Sequence, residues 1–297
     1  MKLAISRLQR SSLHHKWMLL TVFVILLMPF LIGLGLYLKS SVLLNKSGIV
    51  DLLFSNDWRP LSGYFGFWTF IVSSVWLTIL SLILAAPICI LSAIHLTKYA
   101  KKSFLNFMMS VIDILAGIPS VVYGVWGVLV IVPFISNKLA PLFGLEVSGY
   151  SLLAGAIVLA VMIIPFMLNI MIEIIRIIPT ELEEASLALG ATKWQTIKKV
   201  LLKKAAPGIV AAMVLGVSRA FGETMAVLMV VGNVVKIPQN IFEPAYPLPA
   251  LIANNYGEML SIPLYDSALM LAALILFVVV LFFNLISRLI ITRLEYN

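Results

Sequence analysis

The stretch GVSRAFGETMAV, residues 216–227, places an arginine and a glutamate four positions apart inside an apolar segment. Arg219 lies about 16 Å along a helix that begins near Gly208, which is close to the middle of a bilayer. An arginine there costs at least about 2.5 kcal/mol on insertion scales, so it should face other protein and have a partner. Glu223 lies one turn further on the same helix face, at four residues' spacing, and is the obvious candidate for that partner.

Two interpretations of this pair remain open. The first is an internal ion pair that locks the helix, although desolvation cancels much of the attraction between buried charges. The second is a site for an anion in transit, because the planar donors of a guanidinium match tetrahedral oxyanions such as phosphate or sulfate bidentately.

The composition indicates an integral membrane protein. Hydrophobic residues make up 62% of the 297 positions and charged residues only 11%, with a mean hydropathy of +1.08. A soluble domain of this size needs about twice as much charge to cover its surface. The one cysteine, Cys89, lies in an apolar run, so neither a disulfide framework nor a thiolate metal cluster is expected. The chain has no GxxxxGK[ST] stretch and no persuasive catalytic set, so it is not expected to be an enzyme or to hold a cofactor.

Six windows are apolar and long enough to cross about 30 Å of hydrocarbon, which predicts an all-α fold of six transmembrane helices. They cover residues 17–38, 68–96, 104–134, 151–178, 208–232 and 266–288. The first lacks a signal-peptide cleavage site and is interpreted as a retained helix. Several windows contain prolines, which suit a bundle that moves or lines a path but are also tolerated without a functional purpose.

Lysine and arginine predict the orientation. Fifteen of them lie in the segments on the N-terminal side of the predicted membrane and five on the other side, so both termini should be cytoplasmic. The net charge of +8 therefore reflects the orientation of the chain in the membrane, and no nucleic-acid partner is expected. The predicted organisation is a cytoplasmic tail (1–16), the first span (17–38), an extracytoplasmic loop (39–67), a permease domain (68–290) and a cytoplasmic C-terminus (291–297).

The predicted cytoplasmic segment 179–207 has the pattern of two helices joined by a glycine. Pro179 and Thr180 suit a helix start, and the glutamates that follow favour its positive end. Gly190 suits a C-cap, and Thr192 an N-cap for a second, basic helix over 194–202. Such a unit fits the groove of another protein. An ordinary surface loop, or a basic helix on anionic lipid, is the alternative.

The stretch EEASLALGATKWQTIKKVLL resembles the EAA loop of importer-type ABC-transporter permeases. That resemblance implies a type I permease core whose coupling helix docks into an ATPase subunit. The chain departs from the family pattern at Lys203, where the family has a proline; Pro207 lies nearby. The residues at the matching positions are Glu184, Ala185, Ser186 and Gly190.

Two further stretches are similar to phosphate-specific permeases. SRAFGETMAV is similar to their RALGETMAV signature, and IDILAGIPSVVYGVWG, at 112–127, resembles the PstC-type subunit; the likeness spans about residues 60–290. The resemblance implies a subunit in the inner membrane that forms half of the pathway of an ATP-driven importer of inorganic phosphate. Its implied partners are a PstA-like sister permease, a dimer of PstB-like ATPases and a PstS-like phosphate-binding protein.

Within this interpretation, Arg219 holds the anionic oxygens of phosphate. Glu223 accepts the P–OH hydrogen bond and repels a fully deprotonated anion such as sulfate. Asp113, predicted to lie in the third span, is either a third member of this network or a helix-end carboxylate reached by water. Ser120, Tyr123 and Thr224 either offer hydroxyls to the path or satisfy neighbouring backbone groups.

Three rival functions are open. One is a permease for another oxyanion, sulfate or molybdate, since Arg219 alone does not choose among them. Another is an ion-coupled carrier or anion channel that acts alone and transports without ATP. The third is a membrane scaffold or sensor that binds a partner through 181–203. A scaffold has no need of an arginine at mid-membrane, so Arg219 argues against that option.

Overall fold

The computed structural model describes residues 2–257 and 262–295, with side chains described over 15–257 and 262–293. In this part the chain is a helical bundle with one two-stranded antiparallel hairpin. The elements up to the fourth span are α1 (Lys2–Lys46), α2 (Ile49–Phe54), β1 (Trp58–Arg59), β2 (Tyr64–Phe65), α3 (Trp68–Ile94), α4 (Lys102–Gly117), α5 (Ser120–Trp126), α6 (Val132–Phe134) and α7 (Leu152–Arg176). The remaining helices are α8 (Thr180–Ala188), α9 (Lys193–Thr196), α10 (Leu202–Phe221), α11 (Met225–Val230), α12 (Leu248–Asn255) and α13 (Pro263–Glu295).

Four π-helical turns extend or join these helices, at His95–Tyr99, Gly127–Ile131, Ile135–Leu139 and Ile197–Leu201. Counting them, six helices of the described chain are long and apolar enough to cross a membrane, which confirms the predicted number. The six spans are His15–Lys46, Trp68–Tyr99, Ser120–Phe143, Leu152–Arg176, Lys193–Phe221 and Pro263–Arg293. The end of the bundle that carries α8 is called the α8 end, and the opposite end, with β1 and β2, the hairpin end.

The predicted third span, 104–134, is wrong in its bounds. The structure divides it at Ile118 and Pro119, so that α4 ends at Gly117 and the span begins at Ser120. Ile118 is extended (φ −67°, ψ 129°), as expected for a residue whose α conformation clashes with a following proline ring. α4 does not continue the span, and it packs beside α7.

The predicted fifth span, 208–232, also differs from the structure. The basic helix expected over 194–202 does not end at residue 202, because the π-helical turn Ile197–Leu201 joins α9 directly to α10. Pro207 lies inside α10. The combined helix stops at Phe221, and a short link, residues 222–224, precedes α11. Arg219 and Glu223 therefore lie on either side of a helix end rather than on one helix.

Smaller differences concern the segments outside the bundle. α1 extends well beyond the predicted 17–38, and the loop expected over 39–67 contains the end of α1, α2 and the hairpin. The short helix expected over 248–259 begins at Leu248 as predicted. Its described part ends at Asn255, and residues 258–261 lie outside the described residues.

Small residues let α10 pack closely against α7. A Cβ added to Gly216 would lie 2.5 Å from Met167 Sδ, and one added to Gly208 would lie 2.7 Å from Ile174 Cγ2. Close approach at small residues is the usual way in which membrane helices associate. On its other side α10 is linked to α13, where the Asn284 amide donates to Ser218 Oγ at 2.8 Å. These contacts fix the rotation of α10 and so the direction of Arg219, which follows Ser218.

Candidate functional site: a mid-membrane arginine and an exposed helix–glycine–helix segment

Arg219 projects away from the core at mid-depth in the bundle. Its neighbours Ser218, Ala220 and Phe221 are buried, whereas Arg219 itself is exposed on the surface of the single chain. The guanidinium carbon lies 4.9 Å from the centre of the Phe166 ring, a cation–π geometry. Phe166 lies about 21 Å from the start of α7 and about 15 Å from its end. The guanidinium of Arg219 therefore lies beside the middle of the fourth span.

The structure does not form the ion pair that the spacing of Arg219 and Glu223 predicts. Over residues 15–257 and 262–293, the ion pairs involve other residues. Because α10 ends at Phe221, the four-residue rule for one helix face does not apply across the link. Glu223 instead accepts a hydrogen bond from the Ala226 N–H at 3.3 Å, at the start of α11. No described side chain forms an ion pair with the guanidinium, which favours the anion-site interpretation.

Asp113 lies on α4 and not in the third span, but it contacts α7, the helix that the Arg219 guanidinium also contacts. Its Oδ1 accepts a hydrogen bond from the Asn169 amide at 3.0 Å. Asn169 is three residues after Phe166 on α7, and residues with this spacing are neighbours on one helix face. The structure thus brings Asp113 and Arg219 to adjoining positions along α7. A role for Asp113 in the pathway stays a prediction.

The three predicted hydroxyl residues lie near the two breaks in the bundle. Tyr123 donates to the Leu115 carbonyl at 2.8 Å, which closes the corner between α4 and α5. Thr224 donates to the Gly222 carbonyl at 3.3 Å. Both contacts satisfy backbone groups, which favours that interpretation for these two residues. Ser120 is the first residue of α5 and is half-buried.

Sequence reasoning missed Phe166 and Asn169. Asn169 carries a signal that could have been used, because it is an amide in the apolar stretch PFMLNIMIEII and intramembrane polar groups need partners. Phe166 carries none, since one phenylalanine among many in the spans looks like a packing residue.

The helix–glycine–helix segment has the predicted local geometry. Gly190 follows α8 with φ +83°, the left-handed conformation that glycine adopts without strain. Thr192 and Gln195 form a reciprocal capping box at the start of α9. Glu184 and Ala185 are exposed, and the Ser186 hydroxyl lies 2.9 Å from that of Thr196.

The same segment exposes apolar side chains outside the bundle. Leu189 is 90% exposed, and Leu182 and Leu187 also lie open. Apolar side chains grouped on a polar segment are typical of a surface that another protein covers. The segment is therefore suited to docking, and its docking into another protein stays a prediction.

The described chain combines six spans, a guanidinium without an ion-pair partner beside the middle of the fourth span, and a helix–glycine–helix segment with exposed apolar side chains. These are the features expected of a membrane permease. Residues 85–296 match the family described as "Binding-protein-dependent transport system inner membrane component", which is most of the chain. The chain belongs to this family and is a multi-pass protein of the inner membrane.

Relatives and a solved structure agree with this assignment. The chain is 40% identical to a probable ABC transporter permease, YqgH, of Bacillus subtilis, over 86% of this chain and 82% of the relative. It is 37% identical to the phosphate transport system permease PstC of Pasteurella multocida, over 82% and 80%. A bacterial ABC transporter that imports alginate contains a chain of the same fold, with a TM-score of 0.62 at 18% identity, over 94% of this chain and 96% of that one.

Proposed function

We propose that this chain is a permease subunit of an ATP-driven importer of inorganic phosphate and forms half of the translocation pathway. The observation that carries the proposal is the guanidinium of Arg219, exposed from the bundle at mid-membrane and held against Phe166. The relative of Pasteurella multocida that is named as a phosphate transport permease supports phosphate as the substrate. A permease for sulfate or molybdate, a carrier that acts alone and a scaffold are less well supported.

Arg219 binds the anionic oxygens of phosphate through two of its parallel N–H donors. Glu223 lies in the link that follows α10, where its carboxylate accepts a hydrogen bond from a protonated phosphate oxygen. Phosphate near neutral pH keeps a proton and sulfate does not, so the same carboxylate repels sulfate. Glu223→Gln should therefore admit sulfate uptake. Unchanged phosphate uptake and unchanged sulfate exclusion in that variant would remove Glu223 from the site.

The α8 end faces the cytoplasm in this proposal, because the basic residues of the chain concentrate on that side. The α8 segment, with Glu184, Ala185, Ser186 and Gly190, docks into a PstB-like ATPase dimer. A PstA-like sister permease supplies the other half of the pathway and faces the exposed side of Arg219. A PstS-like protein delivers phosphate at the hairpin end. ATP is hydrolysed in the separate ATPase, and the motion of α8 alternates the access of the Arg219 site.

The test is uptake of labelled phosphate and labelled sulfate by proteoliposomes that contain the chain with the candidate sister permease, ATPase and binding protein. Arg219→Gln removes two charge-assisted hydrogen bonds, each worth roughly 1.5–3 kcal/mol, so uptake should fall at least about a hundredfold. Arg176→Gln is the matched control, because Arg176 pairs with Glu173 near the α8 end.

Each outcome separates the proposal from a rival. ATP-dependent phosphate uptake that Arg219→Gln abolishes, with assembly intact, supports both the site and the class. Uptake by wild type without ATP makes the chain a carrier or channel. ATP-dependent uptake of sulfate in place of phosphate makes it a permease for another oxyanion.

A further inference from the structure

An ion pair ties α8 to the second span. Lys98 Nζ lies 2.6 Å from Glu183 Oε2, and the two side chains are only 14% and 21% exposed. In each of the other four ion pairs among the described side chains, at least one partner is more than a third exposed. Partly buried pairs are screened less by salt and hold their geometry better than surface pairs. The Lys98–Glu183 ion pair is therefore expected to hold α8 in a fixed position against the second span.

The ion pair is part of a larger contact at the π-helical turn His95–Tyr99. The Tyr99 ring stacks on His95, with centroids 6.2 Å apart and planes 10° from parallel. Lys193 of α9 lies over the same ring, 4.7 Å from its centre. The turn is thus held by α8 through Lys98 and by α9 through Tyr99. Such π-helical turns inside longer helices are frequent at functional positions.

The second span leads from this turn to the ring beneath Arg219. α3 packs along α7, and a Cβ added to Gly155 would lie 2.9 Å from Leu77 Cδ1. Nearer the site, the Cys89 thiol donates to the Ile164 carbonyl at 3.6 Å. Ile164 is two residues before Phe166. Close-packed contacts therefore connect the second span, which ends beside Lys98, to the helix that carries the Phe166 side of the site.

A separate route joins α8 to Arg219 itself. The Ser186 and Thr196 hydroxyls lie 2.9 Å apart, which links α8 to α9. α9 continues without a break through Ile197–Leu201 and α10 to Arg219. α8 therefore contacts two continuous helices. The first is α9–α10, which carries Arg219. The second is α3 with its π-helical turn, which packs against α7, the helix that carries Phe166.

We propose that the Lys98–Glu183 ion pair is a positioning contact that makes α8 move the Phe166 side of the site together with the Arg219 side. This inference rests on the proposed function, since it assigns α8 the task of passing on the motion of an ATPase. With the pair broken, α8 still moves α10, but its direct hold on the second span is lost and only the Lys193–Tyr99 contact of α9 remains. ATP is then hydrolysed without a matching movement of phosphate.

The experiment measures phosphate uptake and ATP hydrolysis in the same proteoliposomes, with the full complex of permeases, ATPase and binding protein. Lys98→Met and Glu183→Gln should each lower the phosphate transported per ATP by about fivefold or more, the usual lower range of coupling between sites. Lys98→Arg, and the charge exchange of Lys98→Glu with Glu183→Lys, should restore it to within about twofold. Lys39→Met is the matched control, because Lys39 pairs with Asp266 at the hairpin end.

The ratio separates a coupling role from a structural one. If Lys98→Met lowers uptake and hydrolysis in equal proportion, the pair only supports folding or assembly and the inference is wrong. An unchanged ratio in Lys98→Met, or a charge exchange that assembles but stays uncoupled, also overturns it. Should the charge exchange fail to assemble, the comparison of Lys98→Arg with Lys98→Met decides. A wild-type complex without ATP-driven phosphate uptake refutes the proposed function itself.

Discussion

Replacing Phe166 by leucine should slow phosphate transport about fivefold. The guanidinium of Arg219 lies 4.9 Å from the ring centre, within the range of a cation–π contact. Such a contact is worth about 0.5–1 kcal/mol when exposed and about 2 kcal/mol when water is excluded. We take about 1 kcal/mol, because the ring is half-buried and the arginine exposed. That free energy corresponds to a factor of about five.

The assay is the maximal uptake rate of reconstituted complexes at saturating, phosphate-loaded binding protein, divided by the amount of complex assembled. Phe166→Trp keeps a ring with a stronger attraction for cations, so its rate should stay within about twofold of wild type. Phe143→Leu is a matched control, because the Phe143 ring packs against Phe242 and not against the arginine. A wild-type rate for Phe166→Leu, or an equal loss in Phe166→Trp, would refute the argument that the ring orients Arg219.

Three further predictions concern the frame around the site. Gly127→Ala should lower the free energy of unfolding by about 1–3 kcal/mol, because a Cβ there would lie 2.6 Å from Val158 Cγ2 and 2.7 Å from Val230 Cγ1. Thermal unfolding of the complex measures the loss. Gly117→Ala is the control and should have little effect, because a Cβ there meets open space. Tyr123→Phe removes the hydrogen bond to the Leu115 carbonyl and should cost about 1 kcal/mol in the same assay. The Gln239 N–H and Lys236 hold the pKa of Glu243 below its ordinary value. The stabilisation that the ionised carboxylate gives to the folded state is therefore present above about pH 4.3, and it is lost as the pH falls through the lower pKa of the folded state. Hydrogen exchange of the Gln239 amide should therefore speed up at acid pH in wild type relative to Glu243→Gln, and an equal pH profile in both would contradict this.

The break after α10 shows why some boundaries escaped prediction from the sequence. Apolar residues continue past Phe221 into α11, so the hydropathy averaged along the sequence predicts one continuous apolar span. The chain instead leaves the helix at 222–224, where Glu223 accepts the Ala226 N–H at the start of α11. At Pro119 the signal was present, because a proline restricts the residue before it, but hydropathy alone joined α4 to the third span.

Local chemistry in the sequence determined much of this protein. The number of spans follows from long apolar runs, because a bilayer core of about 30 Å demands them. The placement of Arg219 inside an apolar run also follows from the sequence. The capping box at Thr192 and the left-handed Gly190 follow from short-range backbone preferences. None of these features depends on which helix packs against which.

Partner choice was decided only by the tertiary structure. Arg219 contacts Phe166, Asp113 contacts Asn169, and Lys98 contacts Glu183, in each case across two helices that are distant in sequence. Such contacts depend on the rotation and the axial register of each helix, and these are set by close packing at small residues such as Gly216. Four-residue spacing along one helix predicted Glu223 as the partner of Arg219. That prediction fails because α10 ends at Phe221, two residues before Glu223, so the two side chains do not share a helix face.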